Sequence, residues 1–309
     1  MKHTRYLVKA AVLVTLVFVA ANHLTFPMLK AAISDSKFRA VVAANASSYI
    51  PPGQRVTVFI GNSRIMGGIA PGYIMRAGGV AYNLAFNGLH LDDLQLLLDA
   101  FIRSCSCQVE YVYANPDIFR VRQDDINVVS ELQRFLSGFD PGTLQAVQNK
   151  DAVYAGAMRL FPLLHFNNEF FLRALYYSVT GKDDQQHGSD YKITISREME
   201  LRLQNESLDT ELDARALLGL RTWLSGSGVR LVVIDPPYHR AYQDNVPGFE
   251  ALQSGIRDAM ADADVNFLDH SGLYYDQPEL FSDPLHLNRD GQRQYSKYIF
   301  EMMLLRDDL

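Results

Sequence analysis

Two short motifs, one near each end of the chain, hold residues suited to acyl transfer. Gly61-Asn62-Ser63-Arg64 follows the apolar run 56–60, and Asp283-Pro284-Leu285-His286 lies near the C-terminus. A serine hydroxyl becomes a nucleophile when a histidine takes its proton, and an acidic side chain holds that histidine in the correct tautomer. We therefore predict that Ser63 is the nucleophile, His286 the general base and Asp283 the residue that orients His286.

Each motif also has a plainer interpretation. Gly61-Asn62-Ser63 can be a turn that caps a helix, and Asp283 can cap the helix that follows it. His270, next to Asp269, is a rival base, although adjacent side chains point in different directions. The combination of both motifs, in this order and at predicted strand ends, favours the triad.

The predicted elements that would position these residues alternate between strands and helices. The β-rich runs cover 55–60, 80–85, 109–114, 229–234 and 265–268, and the amphipathic stretches cover 91–102, 211–224 and 291–305. This alternation predicts a parallel sheet covered by helices on both faces, with ligands bound beyond the carboxyl ends of the strands. The notable residues that follow the strands are Ser63, Asn87, Gly88, Asn115, Tyr238, His239, Asp283 and His286.

A tetrahedral intermediate on Ser63 needs donors for its negatively charged oxygen. The candidates are the backbone N–H groups of Ser63 and Gly88 and the side-chain amide of Asn115, each worth on the order of 3 kcal/mol. Glycine lets a backbone amide approach closely, and asparagine donates without carrying charge. Plainer interpretations stay open, because Gly88 can serve a turn and Asn115 can end a strand.

Four further residues are candidates for substrate binding: Arg64, Asn87, Tyr238 and His239. Arg64 can bind an anionic sugar, tether a carboxylate of the long insertion described below, or be a solvated charge. His239 can line an acceptor groove or lie exposed in its loop. The sequence shows no metal-ligand spacing, so we expect neither a metal nor a cofactor.

The alternating pattern breaks down in a long insertion, at about 120–206. An insertion of this length favours a helical lid or side domain over the site. Its aromatic residues can form a small core of their own or a docking surface. They include Phe161, Phe166, Phe170, Phe171, Tyr176 and Tyr177.

The N-terminus has the pattern of an export signal, with basic residues ahead of the apolar run 10–21. The run alone suits the core of a signal peptide, but extending it to residue 29 gives a segment long enough to cross a bilayer. An uncleaved signal anchor over 1–29, a cleaved signal peptide and a buried helix all stay open. The first two keep the N-terminus inside and place the rest outside the cytoplasm, with 30–54 as a tether or helix.

The composition is that of a folded domain: 309 residues, 48% hydrophobic and 21% charged. The net charge of −6 arises from an acidic excess that lies after the basic N-terminal segment. Nucleic acid and anionic membrane surfaces are therefore poor partners for the folded part. Cys105 and Cys107 are separated by one residue, and we expect them to be reduced or packed, because a bridge at that spacing is strained.

The order of the motifs resembles the SGNH, or GDSL-like, hydrolase superfamily from about residue 56 to the C-terminus, with the insertion unmatched. In that family the blocks supply a serine, a glycine, an asparagine and Asp-x-x-His, and Ser63, Gly88, Asn115 and Asp283/His286 fall on them; Asn62 replaces the family's aspartate. The resemblance implies a three-layer α/β/α fold with a flavodoxin-like sheet over 55–309. The anchor, Arg64, the Asn-Pro pair and the insertion look like the membrane-associated branch that acylates polysaccharides.

From these observations we predict an extracytoplasmic, serine-dependent O-acyltransferase or esterase that acts on hydroxyl groups of the cell envelope or of an exopolysaccharide. By resemblance to the membrane-associated branch, an integral membrane acyltransferase would supply the acyl group and a polysaccharide would accept it. The expected location is the bacterial inner membrane, as a single N-in span with the domain in the periplasm, or the periplasm itself after signal cleavage. The alternative is an inactive scaffold of the same fold that binds polysaccharide or assembly partners.

Overall fold

The computed structural model describes residues 2–74, 79–120, 129–184, 189–206, 208 and 212–307. The contacts divide the chain into two compact units. The helical unit comprises 1–49, 96–104 and 125–183, and the sheet unit comprises 50–95, 105–124 and 184–309. The predicted insertion is therefore shared between the two units, its first part belonging to the helical unit and its last part to the sheet unit.

The secondary structure alternates along the sheet unit and is helical elsewhere. The strands are β1 (Arg55–Ile60), β2 (Gly79–Asn83), β3 (Gln108–Ala114), β4 (Arg230–Asp235) and β5 (Asn266–Asp269). The α-helices are α1 (Lys2–Ile33), α2 (Arg39–Ala44), α3 (Ser63–Gly68), α4 (Leu91–Ser104), α5 (Glu131–Ser137), α6 (Pro141–Lys150), α7 (Ala152–Leu160), α8 (Glu169–Thr180), α9 (Arg197–Gln204), α10 (Ala214–Gly226), α11 (Arg240–Asn245), α12 (Phe249–Asp262) and α13 (Arg289–Asp307).

The five strands form one parallel sheet in the order β2-β1-β3-β4-β5. This is the flavodoxin-like order, in which the chain reverses direction along the sheet beside β1 and the carboxyl ends of β1 and β3 flank a crevice. The predicted α/β class with a parallel sheet is confirmed, and every predicted strand lies within about two residues of an observed one.

The core of the sheet unit lies on both faces of the sheet. In β1 and β4 every residue after the first is buried, as expected for strands that are covered on both sides. On one face the ring of Phe59 stacks on that of Tyr113 with centroids 4.9 Å apart, and Tyr295 and Ile299 of α13 belong to the same buried cluster.

The helical unit has an aromatic core of its own. Phe38 stacks on Tyr177 with ring centroids 5.9 Å apart, and Phe135 contacts both Phe166 and Phe170. The aromatic residues of the insertion thus pack with one another and with the N-terminal segment. Phe38 and residues 40–43 are buried and Arg39–Ala44 form α2, so of the two expectations for 30–54 this stretch fits the helix and is part of a core.

The N-terminal helix α1 is continuous. Its stretch Tyr6–Ile33 has 28 residues and a mean hydropathy of 1.9, which makes it long and apolar enough to cross a membrane. Only 6% of its most apolar window is buried against the rest of the protein, so the alternative of a buried core helix does not fit.

The two cysteines form a disulfide, contrary to the expectation of reduced thiols. Their Cα atoms lie 5.1 Å apart, within the range that a bridge requires. Ser106, between the cysteines, accepts a backbone hydrogen bond from Gly53 N–H at its carbonyl oxygen, at 2.8 Å.

Candidate active site

The turn between β1 and α3 places Ser63 at the carboxyl edge of the sheet. Asn62 is the N-cap of α3, and its Oδ1 accepts from Arg64 N–H at 3.0 Å. Ser63 is the first residue of this helix, so its backbone N–H has no acceptor within the helix. The turn starts at Gly61, whose φ of 154° is a conformation that favours glycine.

The three residues of the predicted triad lie in one hydrogen-bonded chain. Ser63 Oγ is 2.8 Å from His286 Nε2, and His286 Nδ1 is 2.8 Å from Asp283 Oδ2 and 2.9 Å from its Oδ1. This is the relative placement of nucleophile, base and orienting carboxylate that serine catalysis requires. The His286 side chain is 30% exposed, so the base lies at the surface of the sheet unit.

The Asp283–His286 loop is held by contacts on both sides. Asp283 Oδ1 accepts from the backbone N–H groups of Leu285 and His286 at 2.8 and 3.0 Å, which closes the loop on itself. From outside, the backbone N–H of His239 donates to Pro284 O at 3.1 Å. The side chain of Leu285 packs against a buried cluster that includes Tyr238.

The surroundings of Asp283 favour its ionised form. Burial by itself would raise the pKa of this carboxyl group. The hydrogen bond and charge of His286, together with the two backbone N–H donors, outweigh burial and lower the pKa below its ordinary value of 3.8. Asp283 is therefore a carboxylate at neutral pH.

Asn115 is fully buried and faces Asn62. Its Oδ1 accepts from Asn62 N–H at 3.2 Å, while its Nδ2 donates to Asn62 Oδ1 at 2.9 Å and to Asp117 Oδ2 at 2.6 Å. Both N–H groups of the amide are therefore engaged in this conformation, and the side chain positions the turn that carries Ser63. The predicted contact with an oxyanion requires the amide to leave one of these two acceptors.

Gly88 and Asn87 lie in an exposed turn after β2. Gly88 has a φ of 64°, and a Cβ added to it would meet no atom within 4 Å. A glycine is therefore favoured at this position because the turn needs a left-handed backbone conformation, and not because a neighbouring group comes too close for a side chain. The residues between β2 and this turn are held to the turn that carries Ser63, since Phe86 N–H donates to Gly61 O at 3.0 Å.

Arg64 is buried, which rules out the interpretation as a solvated charge. Its Nη1 lies 2.7 Å from Asp235 Oδ1, 3.0 Å from Asp117 Oδ2 and 2.6 Å from Tyr238 Oη, and its Nη2 donates to Pro236 O. These acidic partners belong to the ends of β3 and β4 and not to the insertion. Arg64 therefore ties the strand ends together beneath Ser63.

The charges in this network balance. Asp117 also contacts Arg120 at 2.7 Å, so two arginines face the two carboxylates of Asp117 and Asp235. Burial would lower the pKa of Arg64, but Tyr238, Asp235 and Asp117 together raise it, so the guanidinium keeps its charge. Burial likewise raises the pKa of the Tyr238 phenol well above its ordinary value.

Tyr238 and His239 are both buried, so neither offers an exposed surface for a substrate. Tyr238 packs face-on against the Arg64 guanidinium at 3.6 Å. His239 Nδ1 accepts from Ala241 N–H at 3.0 Å and caps α11. The rival base His270 is also buried, with its Nδ1 2.9 Å from Tyr295 Oη.

Sequence reasoning missed three residues that support the site: Asn83, Asp117 and Asp235. Asn83 Nδ2 donates to Ile65 O and Ile69 O at 3.0 and 2.8 Å and so holds the C-terminal end of α3. Asp117 and Asp235 each come within three residues of a strand end in the sequence, which was a usable signal. Their pairing with Arg64 requires the strand order, which the sequence did not supply.

No protein-family model and no curated protein matches the sequence. Among solved structures, the chain is similar to a GDSL-like lipase from Bacteroides thetaiotaomicron, with 9% identity over 86% of this chain and 98% of the other, and a TM-score of 0.41. It is also similar to a Bacteroides fragilis protein assigned as an acylhydrolase, with 10% identity over 84% of this chain and 95% of the other, and a TM-score of 0.38.

Fold and site together define an α/β protein with a hydrogen-bonded Ser63–His286–Asp283 chain at the carboxyl edge of a parallel sheet.

Proposed function

We propose that this protein is a serine-dependent esterase or O-acyltransferase of the SGNH type. The observation that carries the proposal is the continuous chain from Ser63 Oγ through the His286 ring to Asp283, with both hydrogen bonds at 2.8 Å. A buried structural serine has no need of an aligned imidazole and carboxylate, whereas a nucleophile does.

The proposed reaction has two halves. His286 Nε2 takes the proton of Ser63 as Oγ attacks the acyl carbon, and the resulting imidazolium then protonates the leaving alkoxide as the ester bond breaks. In the second half His286 takes a proton from water or from a sugar hydroxyl. That oxygen attacks the acyl-Ser63 ester, and the imidazolium of His286 returns a proton to Ser63 Oγ as the bond between Oγ and the acyl carbon breaks, which frees the serine. The backbone N–H groups of Ser63 and Gly88 are the proposed donors to the oxyanion.

Active-site labelling of the full chain tests this proposal. A fluorophosphonate probe should modify the wild type and not Ser63→Ala, and His286→Ala should react far more slowly. Ser225→Ala is a matched control, because Ser225 is an exposed serine whose hydroxyl donates to Thr222 O at 3.0 Å within α10. Equal labelling of wild type and Ser63→Ala, or none in a folded wild type that also leaves p-nitrophenyl acetate intact, would favour the inactive scaffold.

The finer proposal is transfer to a hydroxyl group of a cell-envelope or exopolysaccharide chain outside the cytoplasm. An N-terminal helix able to span a membrane and a disulfide, which persists in oxidising compartments, support an extracytoplasmic location. In this scheme an integral membrane acyltransferase supplies the acyl group. The segment that begins at Ser189 packs beside the His286 loop, with Ile193 N–H donating to Phe281 O at 3.0 Å, and is the proposed wall of an acceptor groove.

Two measurements address the finer proposal. Incubation with an acyl donor and envelope-type oligosaccharides should give acylated sugar by mass spectrometry, and Ser63→Ala should give none. Free acid alone, with neutral and charged sugars alike, would make the protein an esterase. For the location, a reporter fused after Leu309 should be active only outside the cytoplasm, and activity inside would reverse the proposed orientation.

A further inference from the structure

Within the helical unit, the turn between α7 and α8 packs against a part of α1 that a membrane span has to include. The ring of Phe161, at the end of α7, lies 5.6 Å from that of Phe18 by centroid distance. The ring of Phe166 stacks on Phe26 at 4.9 Å. The turn between α7 and α8 therefore covers α1 from residue 18 outward.

The length of α1 determines how deep in the membrane this contact with Phe18 would lie. A hydrocarbon core of about 30 Å requires about 20 helical residues. The apolar stretch begins at Tyr6, so a span that starts there reaches at least to about residue 25. Phe18 then lies about 10 Å inside the outer boundary, and a later start places it deeper still.

We propose that the turn between α7 and α8 is immersed in the outer leaflet of the membrane that α1 crosses. The occupant of its exposed surface is lipid: acyl chains around Leu160 and the headgroup region around Val179. The inference uses the membrane span of the proposed location and is independent of the proposed chemistry. It makes the helical unit a membrane-embedded element in addition to the single span.

The exposed side chains fit this immersion. Leu24 and Met28 of α1 are 72% and 71% exposed, and Leu160, Leu172 and Val179 of the helical unit are 49%, 65% and 79% exposed. Leu172 and Val179 share one face of α8 with Tyr176. The Lys182 ammonium donates to Tyr176 Oη at 2.9 Å, and an aromatic ring paired with a basic group is typical of the membrane interface.

Three polar groups at this depth are hydrogen-bonded inside the protein, as a lipid environment favours. Asn22 is buried and its Nδ2 donates to Phe18 O at 3.1 Å. His165 is buried, with its Nδ1 2.8 Å from Ser137 Oγ. In the turn itself, Leu164 N–H donates to Phe161 O at 2.9 Å.

Depth-dependent quenching in nanodiscs of phosphatidylcholine and phosphatidylglycerol tests the inference. Single cysteines replace Val14, Leu160, Val179 or Leu218 in the full chain and carry an environment-sensitive fluorophore, while the native cysteines stay in their disulfide without reductant. Quencher lipids carry a nitroxide either near the headgroup or near the middle of the acyl chain. Leu218, 48% exposed on α10 of the sheet unit, is the matched control.

The expected result is loss of fluorescence at Val14 with the mid-chain nitroxide, at Leu160 with either nitroxide, and at Val179 with the nitroxide near the headgroup, with none at Leu218. Quenching at Val14 without quenching at Leu160 would overturn the immersion and leave the span intact. No quenching at Val14 would remove the span and the immersion together. Shielding of Leu160 from aqueous iodide in native membranes, without quenching by lipid, would show that a protein covers the surface instead and would also overturn the inference.

Discussion

The side chain of Asn115 holds Asn62 by two hydrogen bonds, accepting from the Asn62 backbone N–H at 3.2 Å and donating to its Oδ1 at 2.9 Å. Asn62 in turn caps the helix whose first residue is Ser63. Ser63, the proposed nucleophile, is thus positioned from the end of β3, the neighbouring strand, and not only by its own turn.

This arrangement predicts that Asn115→Ala lowers stability and turnover together. Loss of a buried side chain that makes three hydrogen bonds should cost about 1–3 kcal/mol of unfolding free energy, because Asn62 N–H and Asp117 lose a partner. Denaturant unfolding and the kcat for p-nitrophenyl acetate measure the two effects. A fall in kcat of roughly a hundredfold with an unchanged unfolding free energy would instead assign Asn115 to the oxyanion, as the sequence predicts.

Gly61→Ala should disrupt the same turn. A Cβ on Gly61 would lie 2.1 Å from Asn115 Oδ1, and the φ of 154° is unfavourable for alanine. We expect a loss of about 1–3 kcal/mol in unfolding free energy and a lower rate of fluorophosphonate labelling at Ser63.

Gly67→Ala is the control for this prediction, because a Cβ there meets no atom within 4 Å and the residue lies in α3. Alanine at that position should leave stability unchanged or raise it by up to about 1 kcal/mol. If the two variants behave alike, the steric argument for Gly61 fails.

Arg64→Met should be strongly destabilising, by about 3–5 kcal/mol, because it leaves the buried carboxylates of Asp117 and Asp235 without their common partner. Arg55→Met is the matched control. Arg55 pairs with Glu110 from a side chain that is 49% exposed, and removing such a pair should cost under about 1 kcal/mol.

Kinetic measurements on an Arg64 variant distinguish a structural role of this residue from a role in substrate binding. If Arg64→Met does not fold, Arg64→Lys keeps the charge but loses the planar guanidinium that contacts several acceptors. A structural role predicts equal effects on the KM of neutral and anionic esters. A KM that rises for anionic esters alone would return Arg64 to the substrate site.

Asp283→Asn should lower kcat by about three to four powers of ten while the loop stays closed, because the amide holds the wrong His286 tautomer. Asparagine retains an oxygen that can accept from Leu285 and His286 N–H. Stopped-flow acylation and intact mass measure the loss. A decrease of less than about tenfold would show that Asp283 only shapes its loop.

Asp283 also contributes a defined pH dependence of stability. Its pKa is lower in the folded state than its ordinary value of 3.8. The stabilisation is therefore fully present above that ordinary value and is lost as the pH falls through the lower, folded-state value. Unfolding free energies measured from pH 6 down to pH 2 should fall less steeply for Asp283→Asn than for the wild type.

Much of this site could be predicted from the types of the residues and their positions along the sequence. Ser63, Asp283 and His286 are recognisable because each follows a strand-like run or sits in a short polar motif. Parallel strands bring such positions to one edge of a sheet whatever the details of packing. The same reasoning identified the strands to within about two residues, since their apolar runs are short and bounded.

The roles of Arg64, Tyr238 and His239 could not be predicted in this way. Each has a polar group suited to binding a substrate, and each is instead buried. A sequence gives the type of a side chain at a strand end but not its direction. Direction here depends on Asp117 and Asp235, which reach Arg64 only because β3 and β4 are neighbours.

By itself, the sequence determined the α/β class, the apolar N-terminal segment and the order of the chemical groups, because these follow from local periodicity and short motifs. Only the tertiary structure decided that Arg64 is buried and that Asn115 is hydrogen-bonded to Asn62. It also decided that Cys105 and Cys107 are bridged and that the insertion packs on α1 through Phe161. The physical reason is that these outcomes depend on contacts between segments far apart in the chain or on backbone geometry. A local sequence pattern contains no information about either.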